Sequence, residues 1–143
     1  MLEVGNITET ELSIMQTIPF NIVSFDTNAD SHFDSTSNSM IIDRSGYYEV
    51  KGNFVFAPSV TGDVSVYLYV NGETQPTVTS TFNFSSADVK KTFTIPSKII
   101  RTIPTFSNSS VPVKFVVSTA GTLYNANATL IKLHWNSKEN LML

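Results

Sequence analysis

The sequence predicts an all-β protein in which two β-sheets pack face to face as a sandwich. Residues that favour strands are abundant, with ten Phe and five Tyr among 143 residues beside many Val, Ile and Thr. Val64–Val70 and Val111–Ser118 alternate apolar and polar side chains, which is the period of a strand with one buried face. Asn71-Gly72 follows the first of these directly and is a strong hairpin signal. About nine or ten short strands separated by turn signals, without a helical stripe, fit a sandwich.

The first 17 residues are predicted to form an arm outside the sandwich. Their apolar positions sustain no helical stripe, and the segment is too polar to build a core of its own. It is also too apolar for a solvated tail, and segments of this kind often become ordered on a partner. We therefore expect the arm to attach the protein to a larger assembly, with residues 18–136 forming the sandwich domain and residues 137–143 a tail. The side chains expected to make the attachment are Leu2, Val4, Ile7, Leu12 and Ile14.

Two strands are predicted between the arm and the centre of the domain. Ile18–Phe25 has a proline near its start, where a missing backbone N–H costs least. A polar loop follows, and Met40–Asp43 is a second, short strand. Asp43-Arg44-Ser45 then predicts a turn that ends at Gly46.

Gly46–Ala57 is predicted to be the central strand, and its two faces differ in character. The even-numbered residues from Tyr48 to Phe56 are apolar apart from one glycine, so they form a wall of the core. The other face mixes an aromatic ring, two opposite charges, an amide and a valine. A protein–protein interface tolerates this mixture, and an ordinary half-exposed strand is the alternative interpretation. The residues of this second face are Tyr47, Glu49, Lys51, Asn53 and Val55.

The rest of the chain continues the pattern of short strands between turn signals. The predicted strands are Val64–Val70, Thr77–Phe84, Lys91–Ile100, Val111–Ser118, Leu123-Tyr124 and Ala128–Trp135. Alternation along the strands then selects the side chains expected in the core. They are Tyr48, Val50, Phe54, Phe56, Val66, Leu68, Phe93, Phe115, Val117, Ile131 and Leu133.

Composition excludes several classes of partner. There is no cysteine, which rules out disulfides, thiol catalysis and cysteine-bound metals. The net charge is −3 and no basic run occurs, so nucleic acid is not an expected partner. No apolar stretch approaches the roughly 20 residues of a membrane span, so membrane insertion is not expected. The N-terminus lacks the pattern of a secretory signal.

No catalytic constellation is visible in the sequence. His32 and His134 are the only histidines, and their separation matches no zinc motif. A nucleophile elbow and a phosphate-binding glycine loop are both absent from the sequence. We therefore expect a protein that is not an enzyme and that has no cofactor.

Two polar features have both a structural and a binding interpretation. Asp26, Asp30 and Asp34 lie in one loop and offer oxygen ligands that suit Ca²⁺, although a polar loop with Asx-turns is the favoured interpretation. Tyr67 and Tyr69 share one face of a predicted strand. They form either a ligand platform or a surface for packing between subunits.

The order of residues along the chain resembles the trimeric jelly-roll domains of the complement and tumour-necrosis-factor superfamily, which include the heads of phage and bacterial collagen-like fibres. The resemblance covers about residues 18–135. The segments that carry it are Phe20, Val23, Asn28, Phe33-Asp34, Met40–Ile42, Gly46–Val50, Leu68–Gly72 and Ala128–Leu133.

This resemblance implies a ten-stranded jelly roll that forms a tight homotrimer, with the outer face of the inner sheet on the threefold axis. Glu49 and Lys51 buried there would need partners, which a neighbouring chain can supply. The residues expected at the trimer interface are Tyr47, Glu49, Lys51, Asn53, Val55, Leu130, Lys132 and His134.

These expectations favour a structural virion protein. The sequence shows neither the signal peptide nor the collagen stalk of the secreted animal members, and a short arm suits attachment to a shell or a fibre base. We expect a trimeric capsid decoration or head-fibre protein of a phage, assembled in the host cytoplasm and attached through its arm. One alternative is a receptor-binding or adhesive head that recognises a bacterial surface glycan or protein. Another is a spore-surface or secreted ligand, located outside the cell or on its surface.

Overall fold

The computed structural model describes residues 1–26, 30–102 and 110–133, and almost all of these residues lie in β-strands or the turns between them. A single turn of 3₁₀ helix, Pro76–Val78, is the only helical element of the described residues. The strands, in chain order, are β1 Leu2–Asn6, β2 Thr10–Leu12, β3 Ile22–Asp26, β4 Ser31–Asp34, β5 Ser39–Ile42, β6 Gly46–Pro58, β7 Gly62–Val70, β8 Glu73–Thr74, β9 Ser80–Phe84, β10 Lys91–Thr102, β11 Val111–Val117 and β12 Gly121–Leu133.

The strands form two antiparallel sheets, which confirms the predicted sandwich. Sheet A has the order β10-β6-β12-β1-β3. β2 also pairs with β12, at residues 121–123, on the edge that pairs with β1 at residues 126–130. Sheet B has the order β4-β5-β11-β7-β8, and β9 pairs with β7. Many paired strands are distant in sequence, such as β6 with β12 and β5 with β11, and this crossing between two sheets is the architecture of a jelly roll.

Phenylalanine rings fill much of the space between the sheets. Phe93 of β10 packs against Phe82 and Phe84 of β9, with ring centroids 5.0 and 6.1 Å apart. Phe20 packs against Phe115 at 6.4 Å between centroids. Edge-to-face and offset contacts of this kind add to the burial of large apolar surfaces, so this aromatic core holds the two sheets together.

The predicted core is confirmed on the central strands and is wrong at the C-terminal strand. All nine predicted side chains from Tyr48 to Val117 are fully buried. Ile131 and Leu133 are only partly buried, because they lie on the outer face of sheet A. Both parities of this stretch are apolar, so alternation alone could not select the inward set.

The N-terminal segment is not the separate arm that the sequence predicted. β1 lies inside sheet A, where it pairs with β12 on one side and with β3 on the other. Leu2 and Val4 are fully buried in the core, and Leu12 of β2 is 4% exposed. Strand pairing on both sides gave this short segment a core that it could not build alone. Of the five predicted attachment residues, only Ile7 and Ile14 point into solvent, at 72% and 69% exposure.

Local predictions succeeded best where turn chemistry is specific. Asn71 and Gly72 both have positive φ, 52° and 81°, as the predicted tight hairpin between β7 and β8 requires. Leu123-Tyr124 and Ala128–Trp135, predicted as two strands, form one strand as far as Leu133, with a bulge after Leu123. Residues 134 to 143, which include the predicted tail, lie outside the described residues.

Candidate trimer interface on the outer face of sheet A

Alternate residues of β6 build the centre of the outer face of sheet A. The odd-numbered residues from Tyr47 to Val55 all reach solvent in the single chain, and the residues between them are buried. This burial pattern confirms the predicted parity of the strand. β10 and β12 flank β6 and contribute the rest of the face.

One end of this face is mostly apolar, with Arg101 of β10 opposite Tyr47 at its margin. Ile99 of β10 and Ile131 of β12 lie opposite Glu49 on its two sides. Tyr47 and Leu133 form the next cross-strand pair. Tyr47 is 40% exposed and Ile99 is 48% exposed, so large apolar side chains surround a carboxylate at the surface of the single chain. Contiguous exposed apolar side chains of this kind are typical of an interaction surface.

The middle of the face carries several polar groups for which the described residues supply no partner. Glu49 and Lys51 form no salt bridge with any described residue. Thr129 lies between Lys51 and Glu3 in the sheet, and its buried Oγ1 makes no hydrogen bond. Glu3 accepts a 2.6 Å hydrogen bond from Ser24 Oγ. A buried hydroxyl without a partner is uncommon in native proteins and calls for an explanation at this position.

The other end of the face is polar but uncharged. Thr94 Oγ1 donates a hydrogen bond of 2.9 Å to Asn53 Oδ1, and Asn127 lies opposite Asn53 on β12. Val55 lies between Thr92 and Asn125. The face therefore passes from apolar side chains, through unpaired charges, to amides and hydroxyls.

Two of the predicted interface residues need correction, and a third is not described by the structure. Leu130 is fully buried in the core of its own chain, opposite Leu2. Lys132 has the same inward parity, and its Nζ lies 3.2 Å from Asp30 Oδ1 in an intramolecular ion pair. His134 lies outside the described residues. The wrong parity on β12 selected Leu130 and Lys132 instead of their neighbours Ile131 and Leu133. Ile131 and Leu133 lie opposite Glu49 and Tyr47 of β6, so the pairing of β12 with β6 assigns them to the outer face.

The three carboxylates considered as an alternative calcium site are not brought together in the described structure. Asp26 pairs with Leu2 in sheet A, and Asp30 forms the ion pair with Lys132. Asp34 accepts a 2.8 Å hydrogen bond from Ser37 Oγ, and this bond is the main reason that its pKa lies below the usual value. No group of three or more His, Cys, Asp or Glu residues within the described ranges is arranged to hold a metal ion.

No helix in the described part of the chain is long and apolar enough to span a membrane. A surface cavity of about 440 Å³ lies between β8 and β10. Its cations already have partners, since Lys98 Nζ contacts Thr77 Oγ1 at 3.3 Å and Arg101 lies over the ring of Tyr47.

No protein-family model and no curated protein sequence matches the chain. Solved structures do match over nearly its whole length. Eiger TNF from S. frugiperda is 12% identical, with 94% of this chain and 92% of that chain covered and a TM-score of 0.71. Murine APRIL at pH 5.0 is 10% identical, with 92% and 97% covered and a TM-score of 0.67.

A vertex protein is also similar to the chain in fold. PRD1 vertex protein P5 is 14% identical, with 93% of this chain and 96% of that chain covered and a TM-score of 0.60. At these identities the likeness is one of fold. The two sheets, their strand order and these neighbours together show that the chain has a jelly-roll fold similar to that of these solved structures.

Proposed function

We propose that the chain is a non-enzymatic structural protein that forms a homotrimer through the outer face of sheet A and decorates a phage virion. The observation that carries the proposal is the combination on that face of exposed apolar side chains with unpaired charges. Ile99 and Ile131 flank Glu49, and Lys51 is also without a salt bridge among the described residues. A second copy of the face can bury the apolar groups and offer the charges partners at once.

The virion assignment is supported by the likeness to PRD1 vertex protein P5, a protein of a virus particle by its name. It does not rely on the predicted arm, since Leu2, Val4 and Leu12 belong to the core. Ile7 and Ile14 are the most exposed large apolar side chains of the described residues. We expect them to contact the particle, because exposed apolar groups of this size lose unfavourable contact with water on binding.

The likeness to Eiger TNF favours a second candidate, an extracellular trimeric ligand. Both candidates require the trimer, and they differ in location. Mass spectrometry of purified virions separates them, because a decoration protein is present in stoichiometric amounts whereas a secreted ligand is found only in the culture medium.

Sedimentation equilibrium at micromolar concentration tests the trimer. We expect a mass three times the chain mass of 15.8 kDa. Ile99→Asp should give a monomer, because it places a charge in the centre of an apolar contact. Val60→Asp is a matched control, since Val60 is also 48% exposed but lies in the turn between β6 and β7. A monomeric wild-type protein, or a trimer that tolerates Ile99→Asp as well as Val60→Asp, contradicts the proposal.

A further inference from the structure

Lys114 is a half-buried cation on the outer face of sheet B, and no described residue gives it an anionic partner. It lies on β11, the middle strand of the sheet, and its Nζ is 5.8 Å from the centroid of the Tyr69 ring. It forms no salt bridge with any carboxylate of the described residues. Asp34, on the same side of the sandwich, has its carboxylate hydrogen-bonded to Ser37 instead. An unpaired ammonium that has lost part of its water gains more from a bound anion than a fully exposed one does.

A surface cavity opens beside this ammonium. Its volume is about 320 Å³, at the lower end of the range of about 300–1,000 Å³ typical of small-molecule sites. Pro112 and Lys114 form part of its lining, together with Ser37, Ser39 and Gly72 from two neighbouring turns and strands. The Ser37 hydroxyl is exposed and donates to Asp34, so its oxygen still has lone pairs for a ligand hydroxyl.

Two tyrosines continue the same surface. Tyr69 lies opposite Lys114 across the sheet, and Tyr67 packs edge to face against it with centroids 6.5 Å apart. Both rings are partly exposed. Tyrosine offers a rigid amphipathic surface and serine an adaptable hydrogen-bonding one, a combination that also characterises antibody recognition surfaces.

We propose that this surface binds an acidic sugar residue of a glycan. The sugar carboxylate would pair with Lys114, its hydroxyls would bond to Ser37, and its C–H face would pack on Pro112 and the exposed part of Tyr69. A nucleic acid or a polyanionic chain fits less well, because the surface offers one cation and the chain has a net charge of −3. The size of the cavity suits one sugar residue.

The site is independent of the trimer, because one chain supplies all of its residues. It lies on sheet B, the opposite outer face from the one assigned to subunit contacts. In a trimer, three copies would face outward, and a repeated surface glycan would then bind more tightly than a single sugar does.

The test uses the full-length protein and two probes, methyl β-glucuronide and methyl β-glucoside. The glucuronide carries a carboxylate where the glucoside carries a hydroxymethyl group. Binding is followed by the shifts of backbone amide NMR signals during titration. We expect the glucuronide to bind with a Kd on the order of 1–10 mM, to shift the Gly72 and Lys114 amides, and to bind at least ~10-fold more tightly than the glucoside. Lys114→Gln should weaken glucuronide binding by about 10-fold or more.

Lys90→Gln is the matched control, because Lys90 Nζ also lies over a tyrosine, 3.9 Å from the ring centroid of Tyr124. This variant should bind the glucuronide as the wild type does. The proposal is overturned if about 50 mM glucuronide shifts no amide near Lys114. It is equally overturned if Lys114→Gln keeps full affinity, or if both probes bind alike.

Discussion

The rings of Phe54 and Phe115 meet in the middle of the sandwich, with centroids 4.8 Å apart and planes inclined by 52°. Phe54 belongs to β6 in sheet A and Phe115 to β11 in sheet B, so their contact joins the central strands of the two layers. Both side chains are fully buried.

Phe115→Ala should lower the free energy of unfolding by roughly 3–5 kcal/mol, measured by urea denaturation. The loss combines the transfer free energy of the ring with the cost of the cavity that remains. Phe54→Ala should cost a similar amount, and the double variant less than the sum because the two rings share one contact. Val60→Ala, in an exposed turn, should change stability by less than about 0.5 kcal/mol. Losses that small at both phenylalanines would contradict the assignment of these faces.

This core pair could be predicted from sequence because in each strand one parity lacks charged residues while the other carries at least one. The same reasoning failed on β12, where Leu130 and Ile131 are both apolar and the inward positions before them are the small Ala126 and Ala128. Ala128 lies opposite Gly52 in the sheet, next to the bulky Phe54. The size of the cross-strand neighbour decides which parity of β12 faces the core, and the sequence of one strand does not show which residue that neighbour is.

The N-terminal segment was misread for a related reason. Leu2 and Val4 alternate with Glu3 and Gly5, but so short an alternation does not predict a buried strand unless the strands that pair with it are known. Its partners are β12 and β3, and β12 is more than 100 positions away in the chain. On β6 the predicted parity is confirmed, because the residues alternating with Tyr47, Glu49 and Val55 are buried, and the role of the mixed face as an interface stays a prediction.

Leu2→Ala should therefore lower the free energy of unfolding by about 2–5 kcal/mol, as expected for a buried leucine. Ile7→Ala, five residues further on and 72% exposed, should change stability by less than about 0.5 kcal/mol. Thermal and urea unfolding of the two variants provide the comparison. Equal, small effects would mean that β1 is not part of the stable fold.

Gly121→Ala should be one of the most damaging single-methyl additions in the molecule. A Cβ at this position would lie 2.3 Å from the carbonyl oxygen of Ala57 and 2.7 Å from Cα of Pro58. Both are backbone atoms of the neighbouring strand, so relief requires that β6 and β12 separate. We expect a loss of about 1–3 kcal/mol or more, measured by urea denaturation.

Gly5→Ala is the graded control for this prediction. Its Cβ would lie 3.2 Å from the carbonyl oxygen of Ala126, a contact that a small backbone shift relieves. Its cost should be clearly smaller than that of Gly121→Ala. The opposite order would show that the close approach at the start of β12 is not as described.

The proposed trimer gives the charges of β6 a specific role that charge reversal can test. If Glu49 of one chain pairs with Lys51 of the next, Glu49→Lys or Lys51→Glu alone should prevent trimer formation. Each leaves like charges together in a desolvated contact, at a cost on the order of 3–5 kcal/mol for a fully buried pair. The double variant restores opposite charges and should recover the trimer mass in sedimentation equilibrium. A double variant as impaired as either single one would show that these two residues do not pair.

Tyr48 should make the protein sensitive to alkali. Its side chain is fully buried, and its hydroxyl donates a 2.8 Å hydrogen bond to the carbonyl oxygen of Arg44. Burial, and then the nearby carboxylates of Asp30 and Asp43, raise the pKa of Tyr48 to about 12. In the unfolded chain this pKa is about 10, so the stabilisation is complete below pH 10 and is lost as the pH rises towards 12. Between pH 9 and about pH 11.5 the free energy of unfolding should fall by about 2 kcal/mol through this residue.

Tyr48→Phe separates this contribution from the other tyrosines and lysines that titrate over the same range. At pH 9 the variant should be less stable by about 1 kcal/mol, because the carbonyl of Arg44 loses its hydrogen bond. On going to about pH 11.5 it should lose about 2 kcal/mol less than the wild type, since phenylalanine has no proton to release in the unfolded chain. The two stability curves should therefore converge and then cross as the pH rises. Parallel curves for the two proteins, measured by urea denaturation at each pH, would show that Tyr48 ionises as easily in the folded chain as in the unfolded one.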